Sequence, residues 1–206
     1  MERIKPKDIA LLQELLSLDK PYFSPADLEK VLGQKRPALY VTLNRLARYG
    51  VLVRLAQGVY QIPLRGADLP RIANQLIYPS YLSFESALSR YGILSQSPYV
   101  LTFATSQRSR RLALGEQSVE FRQLKGELFF GYSLQSGLYV AEPEKALLDQ
   151  FYMVGRGLSS LTTDELDLSS INVEQIRAYA VRFPSTVQEV VKRMFPESAI
   201  PARRPR

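Results

Sequence analysis

The side chains with the most direct chemical use fall between residues 35 and 57: Lys35 and Arg36, then Tyr40, Val41, Asn44, Arg45 and Arg48, then Arg54 and Gln57. At about 100° per residue, Val41, Asn44, Arg45 and Arg48 share one helical face with Tyr40 at its flank, while Leu39, Leu43 and Leu46 share the other. Asparagine can pair bidentately with adenine and arginine with guanine, so the polar face suits base-edge readout in a major groove. Lys35 and Arg36 stand where this helix begins. Cations there oppose the helix dipole, and a phosphate partner accounts for the placement. Arg54 and Gln57 fall in the hairpin that follows and are expected at the backbone or minor groove of duplex DNA. The plainer reading of all these positions is a solvated helix face.

Other chemistry is restricted by composition. With no histidine and no cysteine, the chain lacks the usual general base, disulfides and thiolate zinc sites. Glu142, Glu144, Lys145 and Asp149 could be drawn as a catalytic cluster, and Ser83 with Glu85 as nucleophile and base. Helix capping, dipole pairing and an i,i+4 pair between Lys145 and Asp149 account for the same residue types. No catalytic residue, no metal ligand and no cofactor is therefore assigned, and a conventional hydrolase is not expected; carboxylate-only chemistry or a serine paired with a lysine stays open in principle, though nothing in the spacing points to either. The densest basic run elsewhere is Ser106-Gln107-Arg108-Ser109-Arg110-Arg111. Its Arg108, Arg110 and Arg111 are read either as a second contact, with DNA or an acidic protein surface, or as an exposed loop kept soluble by charge.

The elements that must position the first set are legible in order. Ile9, Leu11, Leu12, Leu15 and Leu16 form an apolar helical stripe that ends at Asp19-Lys20-Pro21. Ser24 can cap a second helix that has Pro25 at its first position and Asp27 at the positive end of its dipole. Gly33 supplies the turn. A third helix starts near Pro37 and stops before Gly50. Val51–Leu55 and Val59–Ile62 are β-prone runs separated by Ala56-Gln57-Gly58, the spacing of a hairpin. Helix, helix, recognition helix and hairpin together predict a winged helix-turn-helix.

The remainder predicts an α+β domain with a small antiparallel sheet and several helices. Ser83 is expected to cap a helix ending at Tyr91-Gly92, and Tyr99–Phe103, Val119–Phe121, Leu128–Tyr132 and Leu138–Val140 read as strands. Helices are predicted from Glu142, with Ala146, Leu147, Phe151 and Val154 aligned, and over 172–183 and 185–195. The expected organisation is a winged helix over 1–65, a linker with a short helix over 66–79, a second domain over 80–196 and a disordered basic tail over 197–206. The charge is uneven: residues 1–65 carry 11 Lys/Arg against 6 Asp/Glu, residues 66–150 carry 8 of each, and residues 151–206 carry 8 against 6, so the excess lies mainly on the first segment. A basic excess on the winged helix favours a polyanionic partner. No apolar stretch has transmembrane length and the N-terminus lacks a leader pattern, so a soluble cytoplasmic protein with no membrane partner is expected.

Three stretches read together carry a resemblance: Leu52 to Tyr60 closing the winged helix, Tyr81-Leu82-Ser83-Phe84-Glu85-Ser86-Ala87-Leu88-Ser89-Arg90-Tyr91-Gly92, and Ala141-Glu142-Pro143-Glu144-Lys145-Ala146-Leu147-Leu148-Asp149. In that order, over about residues 5 to 195, the chain resembles the AbiEi antitoxins, the transcription-regulating half of a bacterial abortive-infection toxin–antitoxin pair. The resemblance implies an N-terminal domain that binds and represses its own promoter and a second domain that neutralises a nucleotidyltransferase-like toxin. Phage defence by a type IV system and no catalysis in this chain follow from the same resemblance. The partners it implies are promoter duplex DNA and the cognate toxin, whose acidic surface Arg108, Arg110 and Arg111 could meet. The chain has no Gly-Ser dipeptide, so the phosphate-handling signature of such a toxin is missing here. The alternative is a winged-helix regulator with a C-terminal sensor domain and no toxin partner.

Overall fold

A computed structural model describes residues 6–18, 20–66, 68–162 and 166–196. The predicted basic tail and Asp19 of the first interhelical turn lie outside the described residues. The chain divides into two compact units, Met1–Gln75 with Ala113–Gln117 and Leu76–Leu112 with Ser118–Arg206.

In the first unit, α1 (Pro6–Ser17), α2 (Pro25–Leu32) and α3 (Arg36–Arg48) precede the strands β1 (Val53–Ala56) and β2 (Val59–Gln61). The start of α2 is built as its residue types dictate. Ser24 Oγ accepts from the Asp27 amide at 3.2 Å while the Ser24 amide donates to Asp27 Oδ2 at 2.9 Å, a reciprocal capping box. Burial alone would raise the Asp27 carboxyl, but hydrogen bonds from Lys20 and Ser24 hold it below its ordinary value. Gly33 then turns the chain at φ 62°, a conformation that favours glycine.

Leu15, Leu28, Leu39, Leu43, Leu46 and Leu52 are fully buried together and tie the three helices to the wing. Truncating one of them to alanine costs about 2–5 kcal/mol in such a core. Ile9, aligned with the buried stripe by spacing, is exposed, because α1 needs only a narrow face to cover its neighbours. Phe23 exchanges backbone hydrogen bonds with Tyr60 at 2.7 and 3.0 Å, which pins the wing to the start of α2. Ala113–Gln117 joins this unit, and the Gly115 amide donates to the Leu55 carbonyl at 2.8 Å. A short helix, α4 (Leu69–Leu76), follows.

The second unit is α+β, but its sheet is larger than expected and mixed. Its elements, apart from the end of β5 and the first residue of β6 that fall in Ala113–Gln117, are β3 (Ser80–Leu82), α5 (Phe84–Arg90), β4 (Val100–Thr105), β5 (Arg110–Leu114), β6 (Gln117–Gln123), β7 (Tyr132–Gln135), β8 (Leu138–Ala141), α6 (Pro143–Gly155), α7 (Val173–Ala180) and α8 (Ser185–Met194). Strand order is β5-β6-β4-β3-β8-β7. The pairs β3/β4 and β7/β8 are antiparallel, whereas β4/β6 and β3/β8 run parallel. An all-antiparallel sheet fails because β6 returns inside β5 to lie beside β4, and β8 lies beside a strand far earlier in the chain.

Two expectations are corrected in detail. Leu128–Phe130 is not strand: Gly126–Leu128 forms a tight helical turn and β7 begins only at Tyr132. The aromatic residues there fill a ring cluster, with Phe130 packed edge-on to Tyr179 at 5.1 Å between centroids. Gly131 is required between them, since a Cβ at that site would stand 3.1 Å from Lys145 Cγ and 3.2 Å from the Tyr179 ring. Val154 is at the surface although it follows the spacing of buried α6 residues.

Candidate nucleic-acid interface

Helix α3 is held from its inner face and at its start. Leu39, Leu43 and Leu46 face the core. Thr42 Oγ1 donates to Gln34 Oε1 at 2.9 Å, bracing the turn before the helix. Arg45 reaches α1, where its two terminal nitrogens donate to Asp8 Oδ2 at 2.5 Å and Oδ1 at 2.8 Å. The Asp8 side chain is only 3% exposed and that of Arg45 25%. Arg45, assigned by the helical wheel to the reading face, is therefore a brace between helices. Its position borders the polar face, and the wheel cannot know that a carboxylate waits on α1.

What remains outward is a compact set. Val41 is 71% exposed and Tyr40 47%, with Asn44 and Arg48 also exposed on the same side. Lys35 occupies the N-cap position without a side-chain cap, and Arg36, exposed, lies 3.7 Å from Glu29. In the wing Arg54 and Gln57 are exposed, and Arg54 Nε donates to the Ala56 carbonyl at 3.4 Å. Gly58 closes the hairpin at φ 73°. Such an arrangement can offer amide and guanidinium donors to base edges and ammonium groups to phosphates.

In the second unit, the carboxylates and serine considered for catalysis are dispersed or sealed. Ser83 occupies the N-cap position of α5 as expected but makes no side-chain cap bond; its hydroxyl instead donates to Asp149 Oδ2 at 2.8 Å. Tyr81 donates to the same oxygen at 3.1 Å, and Lys145 pairs with Asp149 while donating to the Tyr81 hydroxyl at 2.9 Å. The side chains of Lys145 and Asp149 are both 0% exposed. Their i,i+4 spacing was readable; their burial was not. Burial pushes the Lys145 amine down despite the attraction of Asp149, and pushes the Asp149 carboxyl up despite its donors. The ammonium also lies 5.1 Å from the Phe130 ring centroid and 5.3 Å from that of Phe183. A sealed cluster of this kind has no route to a substrate and fixes β3, α5 and α6 to one another.

The other carboxylates have structural partners. Glu144 accepts from the Asn172 amide at 2.8 Å, Glu142 from the Tyr179 hydroxyl at 2.6 Å, and Glu85 from Arg122 at 2.8 Å. Arg108, Arg110 and Arg111 are all exposed, but Arg110 and Arg111 stand on β5 rather than in a loop. Arg110 bonds Gln107 at 3.2 Å and Arg111 bonds Glu120 at 2.9 Å. Among the described residues, no cluster of three metal-ligating side chains occurs and no helix is long and apolar enough to cross a membrane.

Comparison with known proteins bears on the same segments. No curated protein matches the chain. The crystal structure of the RV2827C protein from Mycobacterium tuberculosis is similar over 98% of this chain and 80% of that one, with a TM-score of 0.65 and 17% identity. At that identity the likeness shows a shared fold. Residues 11–63, which contain most of α1, all of α2 and α3 and both strands of the wing, match the family model described as transcriptional regulator, AbiEi antitoxin.

Proposed function

We propose that the protein binds duplex DNA at its own promoter, represses the operon, and neutralises a co-encoded nucleotidyltransferase-like toxin. The observation that carries the DNA half is the outward face of α3: Tyr40, Val41, Asn44 and Arg48 project from a helix whose opposite face is locked into the core. Asn44 and Arg48 read bases, Lys35 and Arg36 hold phosphates, and Arg54 and Gln57 in the wing touch backbone or minor groove. Arg45 acts indirectly, through Asp8. Neutralisation is assigned to the second unit, with Arg108 and Arg110 as the outward cations for an acidic toxin surface. The family match over the winged helix supports an antitoxin regulator.

Salt-titrated binding of the full chain to its promoter and to scrambled duplex tests the DNA half. Asn44→Ala or Arg48→Ala should cost about 1–3 kcal/mol and relax preference at particular base pairs. Lys35→Ala should weaken all duplexes alike and lower the salt slope by about one. Equal binding of wild-type protein to promoter and scrambled DNA would remove specific repression. The alternative, a regulator with a sensor domain and no toxin, predicts promoter binding without protection against any co-encoded toxin.

A further inference from the structure

The second unit contains a cleft of about 600 Å³ that the proposed DNA reading does not use. Four cations line it, Arg111, Arg122, Lys125 and Arg156, against one carboxylate, Glu120. Its apolar side is made by the buried Leu124 and Met153, with the exposed Leu158 at the rim. We propose that this cleft binds a phosphorylated small molecule of nucleotide size.

Glu120 is already shared: it accepts from Arg111 at 2.9 Å and from Arg122 at 3.0 Å. Arg122 also reaches Glu85 at 2.8 Å and lies 5.0 Å from the Phe84 ring centroid. Phe84 itself sits at φ 55°, a strained backbone for an aromatic residue, at the turn from β3 into α5. Arg122 is thus fixed in place before any ligand arrives, which lowers the ordering cost of binding.

Lys125 and Arg156 are exposed, and among the described residues neither has an ion-pair partner. They, with the outer edge of Arg111, are the cations left to meet phosphate oxygens, for which guanidinium forks are well shaped. The exposed Leu158 at the rim offers an aliphatic surface to the uncharged part of the ligand. The volume falls within the range of small-molecule sites. A concave wall carrying uncompensated positive charge concentrates anions of that size. A duplex would instead need cations spread along an open face.

Calorimetric titration of the full chain at fixed salt tests the proposal, with a nucleoside triphosphate, inorganic pyrophosphate and the matching uncharged nucleoside as probes. Saturable 1:1 binding of the triphosphate is expected, with the nucleoside at least about ten-fold weaker, and Lys125→Ala or Arg156→Ala should each weaken it about ten-fold. Arg156→Lys should recover part of the loss, and Lys35→Ala in the first unit should leave it unchanged. Lys125 is exposed, so Lys125→Ala should keep the wild-type melting temperature without ligand; Arg156→Ala also loses the approach of its guanidinium to the Tyr152 ring at 5.5 Å and should lower it only slightly. Ligand should raise that temperature in the wild type and not in the variants. No binding of triphosphate or pyrophosphate at millimolar concentration would overturn the proposal. So would binding indifferent to both substitutions, or binding of oligonucleotides alone.

Discussion

Val41 projects from α3 between the side chains proposed to read bases, 71% exposed on a face otherwise made of Tyr40, Asn44 and Arg48. An apolar side chain gains nothing from solvent there, and in a major groove its natural partner is the thymine C5 methyl. Replacing thymine by deoxyuridine throughout the promoter should therefore weaken wild-type binding several-fold, while Val41→Ala protein should show little difference between the two duplexes. Equal sensitivity of both proteins would place the methyl contact elsewhere. These residue types and their spacing were legible in the sequence, because helical phase alone separates Leu39, Leu43 and Leu46 from Val41 and Asn44. Arg45 was not. Its partner Asp8 lies 37 positions earlier, and no local pattern announces a bond across that distance.

At the scale of elements, the pairing of Lys145 with Asp149 decides whether α6 docks on β3. Both side chains are wholly buried, and their hydrogen-bond partners come from Tyr81 and Ser83. Removing one member leaves an unpaired buried charge, so Lys145→Met should destabilise the unit by about 3–5 kcal/mol in urea unfolding. The double change Lys145→Met with Asp149→Leu should recover much of that loss, because a buried ion pair is often replaceable by apolar side chains. A double variant no more stable than the single one would show that Tyr81 and Ser83, rather than the charge, carry the requirement. The start of α7 is legible from its residue type: Asn172 accepts from the Glu174 and Gln175 amides. The sheet was harder to foresee. Strand β3 is three buried residues without alternation, and β5 opens on two exposed arginines, Arg110 and Arg111, which carry no strand signal of their own.

Across the whole molecule, the outward face of α3 lies in the first unit, while the Tyr81–Gly92 and Ala141–Asp149 segments lie in the second. Repression and protection should therefore separate in the intact chain. Arg48→Ala should release a promoter reporter yet still rescue growth against the co-encoded toxin. The pair Arg108→Ala and Arg110→Ala should slow or weaken rescue and leave repression in place, as expected of cations that govern encounter and partner choice. Loss of rescue in Arg48→Ala would overturn this division of labour. The existence of two units could be read from composition and from the change in pattern after Pro63. That Ala113–Gln117 joins the first could not, because the Gly115 to Leu55 bond links residues sixty positions apart.

The bidentate bond between Asp8 and Arg45 has a further effect on how this surface can change. It acts as a stop against rolling of α3 about its own axis. Tyr40, Val41, Asn44 and Arg48 can then be exchanged as a set, like type in a locked frame, without disturbing the frame itself. If that face reads DNA as proposed, operator preference can drift, or be rewritten by design, while the fold stays constant. A substitution at Asp8 or Arg45 would have the opposite character: the letters would remain but lose their alignment, giving weak attachment to every sequence rather than firm attachment to a new one.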